Sequence, residues 1–385
     1  MTQPKKHILI LCSYFFPYVS GVSEYARLLA ETLAKSHKVT VLTAQHKKHL
    51  PSEETIDGYR ICRAKPLMFI DKGYISIDLI IKYIRISRNC DIININFPML
   101  ECGLLSLLSN KPMLMTYQCD MAPAGSWLSR LAVRIVQLSG RIALRRAQAV
   151  TVLSLDYAHS SPLLAPCRHK LVEVRPPNKF EKIHPVAPHG KDRQQPDEAP
   201  IICGFIGRFV EEKGIATILD AASTLSGRNI VFWLAGDYSD IAGGSIFPSL
   251  QGQIERLGHQ VRLLGKLEEA EMVAFYSSID LLLLPSINRF EAFGMVQIEA
   301  MTFGAMVISS DMPGVRDVVR ATGMGALCAP GSVSSLVAAI EKVSLCRKTI
   351  SRDAVRKAVL RHFANHRFQR SYLDLIGQFC KSQAG

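Results

Sequence analysis

The sequence predicts an α/β protein of two Rossmann-like domains facing each other across a cleft. Three observations carry this: short apolar runs alternating with amphipathic helical stretches, the loss of that alternation over 181–199, and its restart from Pro200. Strands alternating with helices build a mostly parallel sheet. At 385 residues the chain exceeds one comfortable core and fits two domains of ordinary size.

In the first half Ile8–Ser13 reads as a strand. Ser23–Ser36 reads as a helix with Ala26, Leu29, Ala30 and Leu33 on one face, and Lys38–Thr43 as the next strand. Asp91–Phe97, Pro112–Tyr117 and Ala149–Ser154 are further short apolar strands. Residues 181–199 gather proline and charge, the composition of a linker. The second half then reads strand Pro200–Gly207, helix Ile215–Leu225, and strands Ile230–Ala235 and Val261–Leu264. Helix Ala270–Ser278, strand Leu281–Pro285, a helix over 295–303 and strand Met306–Ser309 follow. The stretch 351–383 reads as helical and amphipathic. The division expected is a first domain over 1–180, the linker, a second domain over 200–360, and a helix over 361–385 packing back on the first domain.

Pro and Gly together make 44 of 385 residues, an average share that belongs to a cored protein rather than a disordered or fibrous one. Lys5-Lys6 before the apolar run Ile8 to Phe16 has the polarity of a signal peptide. That run leads straight into a helical pattern without a small-x-small cleavage site, so it reads as a buried first strand. No segment reaches the roughly 18 uninterrupted apolar residues of a membrane span. Ten cysteines are scattered, never as C-x-x-C, and Cys12 and Cys203 lie in apolar runs where free cysteine acts as a small hydrophobe. A reducing cytoplasm is the expected compartment.

The charge is uneven. Residues 1–182 carry 25 Lys/Arg against 13 Asp/Glu, +12, and residues 183–385 carry 21 against 20, +1, which together make the +13 of the chain. This polarity places the first half beside an anionic surface. Nucleic acid is not the expected partner, because the basic residues lie mostly on helices with apolar opposite faces and lack interleaved aromatics. A nicotinamide oxidoreductase should show G-x-G-x-x-G after a first strand, and neither half does.

The sharpest motif is Glu291-Ala-Phe293-Gly294-Met295-Val-Gln-Ile-Glu299, directly after an apolar strand. A helix opening there presents the backbone N–H groups of Phe293, Gly294 and Met295, which with the helix dipole suit a diphosphate. Glu291 lies in the loop and Glu299 about one turn inside the helix. Carboxylates accept hydrogen bonds from neutral sugar hydroxyls, although taken alone the pair reads equally well as a loop Glu and a salt-bridged helix Glu. Gly207-Arg208-Phe-Val-Glu-Glu-Lys213-Gly214 follows the first strand of the second half, where a phosphate loop belongs. Arg208 and Lys213 can bring two positive charges to one diphosphate; the plain alternative is two solvated cations.

In this order and spacing the motifs resemble the family 4 glycosyltransferases of the GT-B fold, over nearly the whole chain and most strongly from Gly204 to Gly325. The two glutamates separated by seven residues match at Glu291 and Glu299, and the Arg…Lys pair at Arg208 and Lys213. Ala235-Gly-Asp237, Leu264-Gly265-Lys266-Leu267 and Leu284-Pro285-Ser286 are weaker matches. The resemblance implies an acceptor-side first domain and a second domain that binds a nucleoside-diphosphate sugar. It implies that Glu299 holds the ribose, Glu291 a hydroxyl of the donor sugar, and Phe293, Gly294, Met295, Arg208 and Lys213 the diphosphate. Lys266 and Leu267 would flank the base. It implies retention of the anomeric configuration with no metal and no cofactor, the nucleotide sugar being a substrate; the missing D-x-D agrees.

The first half departs from the family pattern. Ser20-Gly21 stands where the family has Gly-Gly, and Gly21 still permits close approach to a phosphate. Asn94-Ile-Asn96 replaces a common His-x-His. Gln118 occupies the place of a histidine near the donor sugar and cannot titrate, so a proton shuttle there is excluded. Transfer can proceed without it, because the leaving phosphate takes the acceptor proton and catalysis is mostly electrostatic. The catalytic set expected is Arg208, Lys213, Glu291 and Gln118. A GT-B nucleotide-sugar epimerase and an inactive sugar-nucleotide-binding homologue are the alternatives.

The expected acceptor is a glycan, a glycolipid or other lipid-linked molecule, or a small molecule, in cell-surface polysaccharide or glycolipid synthesis. Trp127 to Gln148 carries no acidic residue and reads as one amphipathic helix. Leu128, Leu131, Ile135, Leu138 and Ile142 mark a face expected to pack on the sheet. Arg130, Arg134, Arg141 and Arg145, with Lys82, Arg85 and Arg88, would then meet an anionic membrane peripherally. Gly140 is expected to weaken or break this helix.

Overall fold

The computed structural model describes residues 5–70, 73–121, 127–183, 199–238, 244–346 and 349–381. It divides into two units, one made of residues up to Pro177 together with those from Asn365, the other of Asn178–Ala364. The linker read over 181–199 lies outside the described residues from 184 to 198.

The first unit runs β1 (His7–Leu11), α1 (Gly21–Ala34), β2 (Lys38–Ala44), β3 (Glu53–Ile56), β4 (Tyr59–Ala64), β5 (Met68–Ile70), β6 (Gly73–Ile75) and α2 (Ile77–Ser87). It continues β7 (Ile92–Phe97), α3 (Cys102–Leu107), β8 (Met113–Tyr117), α4 (Trp127–Arg146), β9 (Ala149–Val152), α5 (Leu155–Ser160) and β10 (Leu171–Glu173). The main sheet has the order β10-β9-β8-β7-β1-β2-β4-β3, parallel throughout except for the β3–β4 hairpin. That hairpin, absent from the sequence reading, turns at Asp57-Gly58 with both residues at positive φ. Asp-Gly is the dipeptide such a two-residue turn favours.

The second unit runs β11 (Ile201–Ile206), α6 (Ile215–Thr224), β12 (Ile230–Ala235), α7 (Phe247–Leu257), β13 (Val261–Gly265), α8 (Glu269–Ser278) and β14 (Leu281–Leu284). Then come α9 (Val296–Thr302), β15 (Met306–Ser310), α10 (Asp317–Thr322), β16 (Gly325–Cys328), α11 (Val333–Cys346) and α12 (Arg352–Phe363). Its six strands are all parallel, in the order β13-β12-β11-β14-β15-β16. Buried on both faces, the central strands read as apolar runs, Leu281–Leu284 being four leucines.

The helical stretch 351–383 is made of two helices parted at Ala364. The second is α13 (Asn365–Lys381), which belongs to the first unit while α12 stays with the second. In the first unit the buried Tyr372 hydroxyl lies 2.9 Å from that of Tyr25 and 3.2 Å and 3.3 Å from the hydroxyls of Thr116 and Thr151. In the second, Arg356 donates to the carbonyls of Thr302 (2.6 Å) and Glu181 (3.0 Å).

Helix α4 departs from expectation in two ways. Its inward face is Val133, Val136, Gly140, Ala143 and Leu144, whereas Leu131, Ile135 and Leu138 are exposed. The Leu128 side chain is outside the description. The sequence carries two apolar stripes at helical spacing, and the one made of smaller residues lies inside because close packing demands it. Gly140 does not break the helix. A Cβ there would stand 2.7 Å from the Phe97 ring. Gly140→Ala is therefore expected to lower stability: overpacking costs roughly 1–3 kcal/mol, against about 1 kcal/mol of gained helix propensity. A denaturant titration showing stabilisation would contradict this. Among the described residues no helix is long and apolar enough to cross a membrane.

Candidate functional site

In the second unit β11 and β14 are neighbours, yet the chain leaves them in opposite directions, to β12 on one side and β15 on the other. The carboxyl ends of such a strand pair form the crevice where open parallel sheets bind ligands. The loops 207–214 and 285–295 leave from there. Ile287 N–H donates to the Glu212 carbonyl at 3.0 Å and fastens one loop to the other. Gly214, at φ +69°, lets them touch, since a Cβ would stand 2.1 Å from the Pro285 carbonyl oxygen. Ser310 Oγ donates to the Ser286 carbonyl at 2.6 Å and holds the second loop to β15.

Across this junction the Lys213 ammonium and the Glu291 carboxylate form an ion pair, each largely shielded from solvent. The two residues lie 78 positions apart in sequence, so only the sheet topology brings them together. Arg208 is half exposed and reaches Glu212 at 3.5 Å, which leaves its guanidinium loosely held.

Helix α9 opens at Val296 with Met295 as its N-cap residue and no side-chain cap. Phe293 is buried, and Gly294 adopts φ +79°, where a Cβ would meet Leu284 at 2.3 Å. Gln297 Nε2 donates to the carbonyls of Phe293 (2.6 Å) and Val315 (3.0 Å), which fixes the turn that aims this segment at the crevice.

Glu299 is buried and not simply solvent-facing: its carboxylate accepts from the Tyr276 hydroxyl at 2.6 Å. Burial, then the adjacent carboxylate, pushes the Tyr276 phenol well above its ordinary value, so it stays a donor. Tyr276 stacks on Phe303 and meets Phe180 edge-on, both at 5.8 Å between ring centroids. Tyr276 was not read from the sequence. It belongs to α8, 23 residues before its partner, and nothing in the linear pattern joins them.

Lys266 and Leu267 follow β13, which is the edge strand and lies two strands from β11. Lys266 is exposed and Leu267 half-buried. They sit apart from the Lys213–Glu291 junction, at the same end of the sheet.

The first unit has its own point of strand reversal at β1 and β7. Ser13 Oγ donates to the Pro98 carbonyl at 3.0 Å across it. Ser20, in the family's glycine position, is the N-cap of α1 and forms a capping box with Ser23. Gly21 opens that helix on the surface, where an added Cβ would meet nothing within 4 Å. Gln118 is buried, and its Nε2 donates to Asn96 Oδ1 (3.1 Å) and to the Val22 carbonyl (3.3 Å). Both amide protons are thus spent inside the unit, leaving the carbonyl oxygen as the part free to serve a ligand. Asn96 in turn donates to Asn94, and Asn94 to Thr116, so the polar strand end is a closed internal network.

Comparison with known proteins agrees with this architecture. Residues 19–161 match the family model described as Glycosyltransferase Family 4, and residues 189–359 that described as Glycosyl transferases group 1. The chain is 27% identical over 227 residues to the 2-deoxystreptamine glucosyltransferase of Streptomyces kanamyceticus, a match covering 57% of each. It therefore spans little more than half the length of that curated relative. Among solved structures, sucrose-phosphate synthase from Thermosynechococcus elongatus superposes with a TM-score of 0.78 at 20% identity, covering 98% of this chain and 100% of that one. Anabaena HepE in complex with UDP and glucose gives 0.72 at 17% identity, covering 97% and 100%. Two Rossmann-like units and the paired family models spanning most of the sequence place the chain in the family 4 glycosyltransferases of the GT-B fold.

Proposed function

We propose that the protein transfers a sugar from a nucleoside-diphosphate sugar to a glycan, lipid-linked or small-molecule acceptor, with retention and without a metal. The observation that carries this is the meeting of Lys213 with Glu291 at the strand-reversal crevice of the second unit. In this reading the donor diphosphate replaces Glu291 as the partner of Lys213, and Arg208 swings in as the second cation. Glu291 is thereby released to accept from a donor-sugar hydroxyl, while Glu299, oriented by Tyr276, accepts from the ribose. The bond from the anomeric carbon to the diphosphate oxygen breaks as the acceptor oxygen attacks the same face, and the acceptor proton passes to the leaving diphosphate. Lys213 and Arg208 stabilise the charge that develops there, the role a metal plays in sites that use one. UDP and glucose bound to Anabaena HepE support a nucleotide-sugar donor.

A thermal-shift panel of UDP, GDP, ADP and dTDP tests donor binding: one of them is expected to raise the melting temperature, and none doing so would defeat the reading. Activity is expected to persist in excess chelator, with the donor's anomeric configuration kept in the product. Strict dependence on magnesium or manganese, or inversion, would overturn that part. We further propose a cytoplasmic enzyme working at an anionic membrane through Arg130, Arg134, Arg141 and Arg145, all exposed on α4. Lys82 is no part of that face, since its ammonium is held by the Arg63 carbonyl (2.6 Å) and by Asp78 (2.9 Å).

A further inference from the structure

The outward turn of the larger apolar stripe on α4 leaves a feature with no internal purpose. Ile135, Leu138 and Ile142 of α4 face Ile77 and Ile80 of α2 and Leu104 of α3 across an open groove of about 410 Å³. Ligand pockets of roughly 300–1,000 Å³ are the usual size for a small ligand. Exposed apolar side chains continue along the same faces: Trp127 is 68% exposed, Leu107 58%, and Met68, which pairs with Ile75, 50%. Scattered exposed apolar residues need no explanation, but a contiguous apolar face drawn from three helices and a hairpin does.

Two further observations say what covers it. The flanking charge is positive: Arg130, Arg134 and Arg141 are exposed on α4, a helix without one acidic residue, and Arg85 is exposed on α2. Apolar side chains bordered by arginines suit the boundary between acyl chains and anionic headgroups. The groove is also walled by Leu100 and Glu101, in the segment leaving β7, one of the two strands at the reversal point of this unit. Glu101 contributes only apolar atoms to that wall, its carboxyl oxygen Oε1 being buried away from the groove.

We propose that the groove holds the hydrocarbon chain of a lipid-linked acceptor, while the arginine-bordered face rests on an anionic bilayer. This names the acceptor class and rests on the transfer reading above.

The test uses the full-length protein and decyl phosphate below its micelle concentration, with ethyl phosphate as the chainless control. Each buried methylene contributes about fourfold in affinity, so even partial burial of the longer chain is expected to give at least a hundredfold preference for decyl phosphate. Binding should saturate at one site in titration calorimetry. Leu138→Glu and Leu104→Glu sit on two different helices, so misfolding of one leaves the other informative. Each is expected to weaken decyl phosphate at least tenfold and leave binding of the stabilising nucleoside diphosphate unchanged. Sedimentation with phosphatidylcholine vesicles, with and without phosphatidylglycerol, should show binding that needs the anionic lipid, falls with salt, and drops in Arg134→Gln/Arg141→Gln. Equal affinity for the two phosphates, undiminished chain binding in both glutamate variants, or equal binding to neutral vesicles would overturn the proposal. A wild-type protein that binds decyl phosphate but no nucleoside diphosphate would instead sink the transfer reading.

Discussion

Replacing Lys213 by alanine is expected to lower kcat about 10²–10³-fold, the range seen when one preorganised donor to a developing charge is removed. The geometry makes a second outcome conceivable, because Lys213 is also the partner of Glu291, and removing one member of a shielded ion pair leaves the other uncompensated. Glu291→Gln separates the two effects. If the pair serves only to join the loops, Lys213→Ala/Glu291→Gln should recover most of the loss, since no orphaned carboxylate remains. If Lys213 meets the leaving diphosphate, the double variant stays at least as slow as Lys213→Ala, and nucleoside diphosphate binding is weakened in both. Recovery to within about threefold of wild type, well under the ~1.4 kcal/mol of one decade, would remove Lys213 from the chemistry. Lys213→Arg is expected to restore only part of the rate, because a planar fork does not replace a point charge.

Glu299→Ala should lose on the order of 10²-fold or more in kcat/KM, since a charged acceptor of two hydroxyl hydrogen bonds contributes roughly 1.5–3 kcal/mol per bond. The fold does not escape unharmed. The alanine leaves the buried Tyr276 hydroxyl without its acceptor, a penalty of about 1–3 kcal/mol. Glu299→Gln keeps an oxygen for Tyr276 and removes the charge, so it is expected to melt near wild type and still lose donor affinity. Tyr276→Phe keeps the carboxylate and removes its orientation. A positioning role predicts a raised KM for the donor with a smaller change in kcat, and rescue of neither by added metal. Wild-type kcat/KM in Glu299→Gln would end the assignment of Glu299 to the nucleotide.

Much of the second unit was legible in one dimension because its central strands are buried on both faces and punctuated by glycine. Ile230–Ala235 agrees to the residue and four other strands to within one, whereas β16 (Gly325–Cys328), at the sheet edge, is absent from the sequence reading. The motif residues were legible for a related reason: Gly214 and Gly294 occupy positive φ where a Cβ would strike a neighbour, so the motif's spelling follows from backbone geometry. The first unit was harder. Its β3–β4 hairpin announces itself only by Asp57-Gly58, and Gln118 gave no sign that both its amide protons were taken.

Sequence alone determined the alternation of strands and helices, the two-unit organisation, the membership of the family and the identity of the charged residues beside the crevice. These depend on local period and on short motifs, whose physical causes lie within a few residues of one another. Tertiary structure alone decided three things. It paired Lys213 with Glu291 and Tyr276 with Glu299, contacts set by strand order over 78 and 23 positions of chain. It cut the C-terminal helical stretch at Ala364 and gave its halves to different units. And it chose which apolar stripe of α4 faces inward, because both stripes share the helical period, and only the smaller side chains fit against Phe97 and α3.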